Sequence, residues 1–513
     1  RERIAKTPQA LMVATNAGAV HALDAATGQE MAAFMPRRSM RRLLDQATEG
    51  TEFRYVLDGP MSALDVWNGS AWQQTVVGTG GRGERLMYGV RARYDADGKQ
   101  QFGASDFLWE AGPDTIDNAN DGDSTPFATG HMSNPARGGQ TDAGHWVVVA
   151  NSGHFNGTAD GSRHGLVVLD ANTGAVLRTI TLPSAYTAGR GLGGVTLVRD
   201  ARSRIVAAYA GDAKGQLWRF HLRGAPAEWK VSYGKPLFQT ADARPIYAAP
   251  AWTPHPKGGV MVILGTGMLL EDADVSDTAT RESVYGVWDR TSRSDGAEVS
   301  GFETIAPDAL LEQSVTTLYG SVGTNDFYLG TRNRIDWEKH SGWKLQLGHG
   351  DPGERVIEQI ANFGSSISVN TVVINRNEGV ETCSGDDTVA GKKYVFNTLD
   401  GVAKPAFDIN NDGKLDLLHG AFGRVLAVGG GFFLAVKGDG DAARGGTGGL
   451  DQLDGLAHGG AGRNHVIDDE HAALQRRAHQ GAAFAVVFGL FAVVGKGLVV
   501  TQAGQFDGHG GGQ

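Results

Sequence analysis

The sequence predicts an all-β chain: a single modified β-propeller of about seven blades, followed by an atypical Gly/Ala-rich tail. Three observations predict it. Glycine (75 residues) far outnumbers proline (16) and only 20% of the residues are charged, a composition suited to many short strands joined by tight turns. Apolar residues alternate with period two in short runs rather than with the helical period. One hairpin pattern also recurs at blade-sized spacing.

The first hairpin is "LMVATNAGAVHALDAATGQEMAAF" (11–34). Its hydrophobes alternate, and a Gly in the "NAG" turn supplies the positive φ that closes antiparallel strands. "PRRSMRRLL" follows, where Arg37, Arg38, Arg41 and Arg42 would share one face of a short helix at i, i+4 spacing; a solvated face is expected, an anionic contact being the alternative. "GTGGRG" then places Gly78, Gly80 and Gly83 at GxGxxG spacing. A dinucleotide site needs a helix N-terminus at this point. "ERLMYGVRARY" instead continues in strand-like alternation, so a glycine loop between strands is expected.

"DTIDNANDGDS" carries Asp117, Asp121 and Asp123 around Gly122, with Ala119 where a metal ligand would be wanted, and reads as a solvated acidic loop. Two further hairpins are "HGLVVLDANTGAVLRTI" (164–180) and "AAYAGDAKGQLWRFHL" (207–222), and a weaker copy is "KKYVFNTLDGVAKPAFD" (392–408). The two "LDAxTG" turns, starting at Leu23 and Leu169, are separated by about three units of propeller-blade size. Strand-like runs such as "HWVVVANSG", "GGVMVILGTG", "SVYGVWD" and "GWKLQL" fill the intervals. Closure into one propeller would hide sheet edges; tandem sandwiches are the alternative fold.

"FDINNDGKLDLL" (407–418) carries the most specific chemistry. Calcium takes six to eight oxygens, and a loop of the EF-hand type offers side chains at positions 1, 3 and 5, a carbonyl at 7 and a later carboxylate. Asp408, Asn410, Asp412, the carbonyl of Lys414 and Asp416 fill those places, with Gly413 at the bend. The alternative is an Asx-rich turn that holds no ion.

After residue 420 the text changes. Residues 421–513 contain no Trp, Tyr, Pro, Ser or Met, and Gly rises to about a quarter. Two domains are therefore expected, a propeller over 1–420 and an atypical tail over 421–513, the tail being disordered or the product of a shifted reading frame. Its "AAFAVVFGLFAVVGKGLVV" is interrupted by Lys496 and glycines and gives only weak support for a membrane anchor. The start, "RERIAKTPQALMV", has no signal-peptide core and reads as a piece of a longer precursor or a mature form.

Several function classes recede on composition. A net charge of −10 repels a phosphate backbone, so nucleic acid is not an expected partner. Cys383 is the single cysteine, which excludes an intrachain disulfide, a cysteine-based zinc site and a CxxC pair. There is no HExxH, GxSxG or P-loop, and the histidines are scattered.

The strings "VHALDAATGQEMAAFMP", "YAGDAKGQLWRF", "PIYAAPAWTPHPKGGVMVILGTGMLLEDAD" and "SVYGVWD" resemble, in order, the C-terminal propeller of the PilC/PilY family of type IV pilus biogenesis and tip adhesion proteins. The likeness covers about residues 10–416. It implies a modified seven-bladed propeller in the periplasm, outer membrane or at the cell surface, acting without catalysis in pilus assembly, retraction control and adhesion, with pilins or minor pilins and a host or abiotic surface as partners. The family binds calcium in a loop just before "YAGD". Here that place reads "VRDARSRIVAAYAGD": Asp200 keeps the first position, but Arg202 and Arg204 stand at the next ligand positions, so this copy is expected to bind no metal. The alternative function is a PQQ-type quinoprotein dehydrogenase, whose propellers share "ALDAATG"-like turns; a third is a scaffold propeller of outer-membrane assembly.

Overall fold

The computed structural model describes residues 10–47, 55–94, 100–116, 130–154, 163–271, 273–274, 281–322, 325–349, 351–375, 388–404 and 421–427. Among these, the strands form six sheets, almost all of their pairings antiparallel. The first is the meander Ala10–Ala14, Val20–Asp24 and Glu30–Phe34, the predicted first hairpin with one strand more. Its turns use Gly18 and Gly28, both at positive φ (79° and 72°), a conformation glycine adopts without the Cβ penalty of other residues. The second sheet is built on Met61–Trp67, Trp72–Thr79 and Met87–Tyr94. The third runs from Arg137–Gln140 to Val176–Thr181, and the fourth holds Leu192–Arg199, Ile205–Asp212 and Gln216–His221.

The fifth and sixth sheets depart from sequence order. Ala251–Pro254, Val260–Gly265 and Ser283–Asp289 pair in succession, but the next strand is Gly342–Gln346, reached only after the chain has left and returned. The excursion includes the hairpin of Val315–Val322 and Asn325–Gly330, which joins the sixth sheet. There Ala421–Ala427 lies between Asn325–Gly330 and Thr388–Asn397. It merges strands enough for two blades into one sheet of seven, beyond the compositional break at 420.

The core is divided among the sheets. Val20 and Tyr88 belong to a cluster between sheets one and two, Val77 and Val148 to one between two and three, and Leu166 and Trp218 to one between three and four. Tyr209 and Val262 share the cluster between four and five, Met261 and Phe396 that between five and six. Face-to-face packing of successive sheets is how propeller blades bury their apolar area.

The helix Arg37–Gln46 forms as expected, but its arginines do not share one solvated face. Glu110 of the second sheet accepts from the backbone N–H groups of Arg37 (2.7 Å) and Arg38 (3.1 Å), capping the orphan donors of the first turn. Arg38 pairs with the exposed Asp114 and Arg42 with the half-buried Glu84, leaving Arg37 and Arg41 exposed. "GTGGRG" is a loop between strands, as read. Its glycines answer to packing, since a Cβ on Gly80 would lie 1.6 Å from the Glu84 carbonyl oxygen and one on Gly83 2.1 Å from that of Val56. Asp117, Asp121 and Asp123 lie outside the described residues.

Candidate functional site

The loop expected to bind calcium, with Asp408, Asn410, Asp412, Lys414 and Asp416, lies outside the described residues, as does Cys383. Among the described residues no cluster of three or more His, Cys, Asp or Glu is placed to hold a metal ion. Asp200 is described, and its carboxylate is taken. Oδ1 accepts from the backbone N–H of Arg202 (2.8 Å) and of Arg204 (2.9 Å), and Oδ2 pairs with Arg204 Nη2 at 3.2 Å. Burial works to raise this carboxyl, but those N–H groups and the guanidinium outweigh it and hold it below the usual range. The Arg204 cation thus sits on the oxygens that a metal would need.

The recurrent strings place their polar residues at the contacts between sheets. In "YAGDAKGQLWRF", Asp212 ends one strand and Gly215, at φ 75°, turns the chain back. Asp212 is fully buried. Its Oδ1 accepts from the N–H groups of Lys214 (2.8 Å) and Gln216 (3.0 Å), and its Oδ2 from Gln216 Nε2 and Trp218 Nε1, both at 2.8 Å. Burial pushes its carboxyl up to about 6 against the opposing pull of those four donors. This side chain closes the turn and seats the Trp218 indole in the core between sheets three and four.

Two residues of the same hairpin reach the next sheet. The Tyr209 hydroxyl donates to Asp289, the last residue of "SVYGVWD", and Arg219 Nε lies 2.9 Å from Asp289 Oδ2. Arg219 Nη1 donates to Ser232 Oγ (2.6 Å), and Thr291 Oγ1 donates to Asp289 Oδ1 (2.5 Å). Burial, reinforced by the Asp289 charge, drives the Tyr209 phenol far above its ordinary value. It therefore stays a donor. "HPKGG" belongs to the same region: the His255 ring stacks on Trp288 (centroids 4.1 Å apart), and burial pushes it down to about 4, keeping it neutral.

A second convergence lies on "GMLLEDAD". Arg82, from the "GTGGRG" loop, donates to the Leu270 carbonyl at 2.5 Å. Arg190, just before the fourth sheet, pairs with Glu271 (2.9 Å) and Asp274 (3.1 Å). Arg355 donates to the carbonyls of Met268 (3.2 Å) and Asp274. Three stretches of chain thus meet on one short segment. A cavity of about 10 Å³ beside it, bordered by His154, Arg190, Tyr247 and Met268, has room for a water rather than a substrate.

Sequence reading missed a buried ionic cluster. Lys392 Nζ lies 3.0 Å from Asp351 and 3.1 Å from Glu354, and donates to the His349 carbonyl at 2.6 Å. Glu354 also accepts from Thr371 Oγ1 (2.6 Å), Tyr394 Oη (2.7 Å) and the Gly348 N–H (2.9 Å). One signal was legible: period-two alternation puts Lys392 on the same face as the buried Tyr394 and Phe396. Its two acidic partners, 38 and 41 residues upstream, could not be paired with it from the sequence.

Comparison with known proteins agrees with the fold. The curated type IV pilus biogenesis factor PilY1 of Pseudomonas aeruginosa strain UCBPP-PA14 is 28% identical over 456 residues, covering 79% of this chain. A PilY1 homologue from Xylella fastidiosa is 28% identical over 414 residues. The chain spans 37% and 30% of the lengths of these two relatives. The crystal structure of the P. aeruginosa PilY1 C-terminal domain superposes with a TM-score of 0.62 at 23% identity, over 80% of this chain and 83% of that one, which shows the same propeller fold. The family model described as the PilY1 beta-propeller domain matches residues 5–321, and with more than half of its length matched the chain belongs to the PilY1 β-propeller family.

Proposed function

We propose that this chain is a non-enzymatic, calcium-binding propeller of a type IV pilus biogenesis protein, acting at the cell envelope or surface in pilus assembly or retraction control and in attachment. Membership of the PilY1 propeller family carries the reading, supported by curated relatives that are named as pilus biogenesis factors. The partners would be pilins or minor pilins and a host or abiotic surface. The buried polar clusters support a rigid platform over a catalyst, because Asp212, Asp289 and Glu354 are each occupied by donors of this chain. Calcium at Asp408, Asn410, Asp412, Lys414 and Asp416 rests on the oxygen pattern of that loop. The family assignment does not favour the quinoprotein alternative.

The test is an in-frame deletion of codons 10–427 in the source bacterium, complemented with the intact gene. Loss of surface pili and of twitching motility, both restored by the gene, is the expected outcome. Normal pili and motility in the deletion strain would remove the pilus reading.

A further inference from the structure

Where sheets two and three meet, three tryptophans gather at the surface. Trp67 and Trp72 face each other across the end of the Met61–Trp67/Trp72–Thr79 hairpin, their ring centroids 5.7 Å apart and their planes at 66°. Trp146, from the neighbouring sheet, meets the Trp72 ring edge to face at 5.2 Å and 86°. Trp72 is 58% exposed and Trp67 38%. Indoles left this open by a chain that has fully buried Trp218, Trp229 and Trp343 mark a contact surface.

The groups beside the rings are amides. Asn68 Nδ2 donates to Gln73 Oε1 (3.2 Å), Gln73 Nε2 to Asn172 Oδ1 (3.1 Å), and Asn172 Nδ2 to the Trp67 carbonyl (3.3 Å). This relay crosses from one sheet to the next and locks the tryptophan hairpin against the "LDANTG" turn. The one carboxylate on that turn, Asp170, is consumed by the N–H groups of Asn172 and Thr173 and by the Thr173 hydroxyl. The exposed Asp65, two residues before Trp67 on the same strand face, is the nearest carboxylate of the hairpin.

We propose that this patch binds a neutral oligosaccharide. Indole faces carry negative charge density that attracts the polarised C–H face of a sugar ring. The buried Gln73 amide is spent on Asn68, Asn172 and Thr75, and Asn68 Oδ1 accepts from Ser70 and Ala71, so the donors the relay leaves for a sugar's hydroxyls are one N–H each on Asn68 and Asn172. Asp65 and the net charge of −10 disfavour an anionic ligand, which leaves a neutral sugar. A protein partner is the less favoured occupant, because protein hot spots combine Trp and Tyr with Arg and the relay contains no cation. The inference stands on this surface alone, whether or not the pilus reading holds.

The test titrates the full chain with cellotetraose, maltotetraose and tri-N-acetylchitotriose, read by calorimetry and by saturation-transfer NMR. At least one should bind saturably at millimolar concentration or tighter. Trp72→Ala should weaken binding about tenfold or more, and Trp72→Phe should retain part of it, with far-UV circular dichroism unchanged because the side chain is exposed. Leu44→Ala, on the surface helix, should have no effect. Absence of saturable binding by all three sugars, or equal binding by Trp72→Ala, overturns the proposal. Self-association that is lost in Trp72→Ala, without sugar binding, reassigns the patch to a second copy of this chain.

Discussion

Asp212 shows how much one side chain contributes to this fold, and its chemistry has a pH signature. Its carboxyl stands at about 6 in the folded chain against 3.8 as an ordinary aspartate. The folded state therefore holds an extra proton between those values, and Asp212's contribution to stability falls as pH rises from about 4 to 6, then levels. Urea unfolding across that range should show a component of negative slope that disappears in Asp212→Asn. The variant should also lose about 1–3 kcal/mol at pH 7, because an amide nitrogen would face the Trp218 or Gln216 donors. An unaltered pH dependence in the variant would remove Asp212 from this role. Calcium is tested at the same scale. Titration calorimetry should give one dominant heat, abolished in Asp412→Ala and retained in Asp200→Ala, whose carboxylate is already held by Arg204. Equal heats in wild type and Asp412→Ala would move the site elsewhere.

The strand Thr388–Asn397 illustrates what an element can hide. Read along the chain, "KKYVF" is an ordinary alternating strand with charged residues at one end. In the fold its inward face carries Lys392 to Glu354, buried with it, and to Asp351, which is partly exposed. Removing the cation would strand Glu354 in a low-dielectric interior, where breaking a buried pair costs about 3–5 kcal/mol. Lys392→Ala should lose that much in chemical denaturation. A loss below about 1 kcal/mol would mean that water reaches the cluster. The hairpins, by contrast, were readable at this scale, because their turns rest on glycine at positive φ and on Asx side chains that bond the turn's own N–H groups, as Asp170 does. Of the arginine helix the sequence showed only the helix itself. Which arginines form ion pairs depends on Asp114 and Glu84, both distant in sequence.

For the whole molecule the informative feature is "GMLLEDAD", gripped by Arg82 and Arg190 from stretches of chain about a hundred residues apart. If this segment ties separate sheets together, the two arginines act through one shared element and their effects are coupled. Arg82→Ala and Arg190→Ala should each destabilise, and the double variant should depart from additivity by about 0.5–3 kcal/mol. Additive losses would mean that each arginine serves only its own neighbourhood. The strand traffic of sheets five and six belongs to this scale as well. "GWKLQL" reads correctly as a strand, but its place beside Ser283–Asp289 rather than beside its sequence neighbours follows from the excursion of the 315–330 hairpin into the sixth sheet.

By itself the sequence determined the all-β class, the hairpins and their glycine turns, because these rest on period-two alternation and on local backbone sterics, both properties of contiguous residues. It also determined the family, through strings whose polar residues are held in place by the contacts they make. Only the tertiary structure decided which distant groups those residues meet: Asp289 with Tyr209 and Arg219, Lys392 with Glu354, Arg190 with Glu271, and the three tryptophans at the junction of sheets two and three. Apart from Trp67 and Trp72, which share one hairpin, such partners lie tens of residues apart or more. A buried charge or an open indole is defined by the neighbours that packing brings to it, and linear spacing does not encode them.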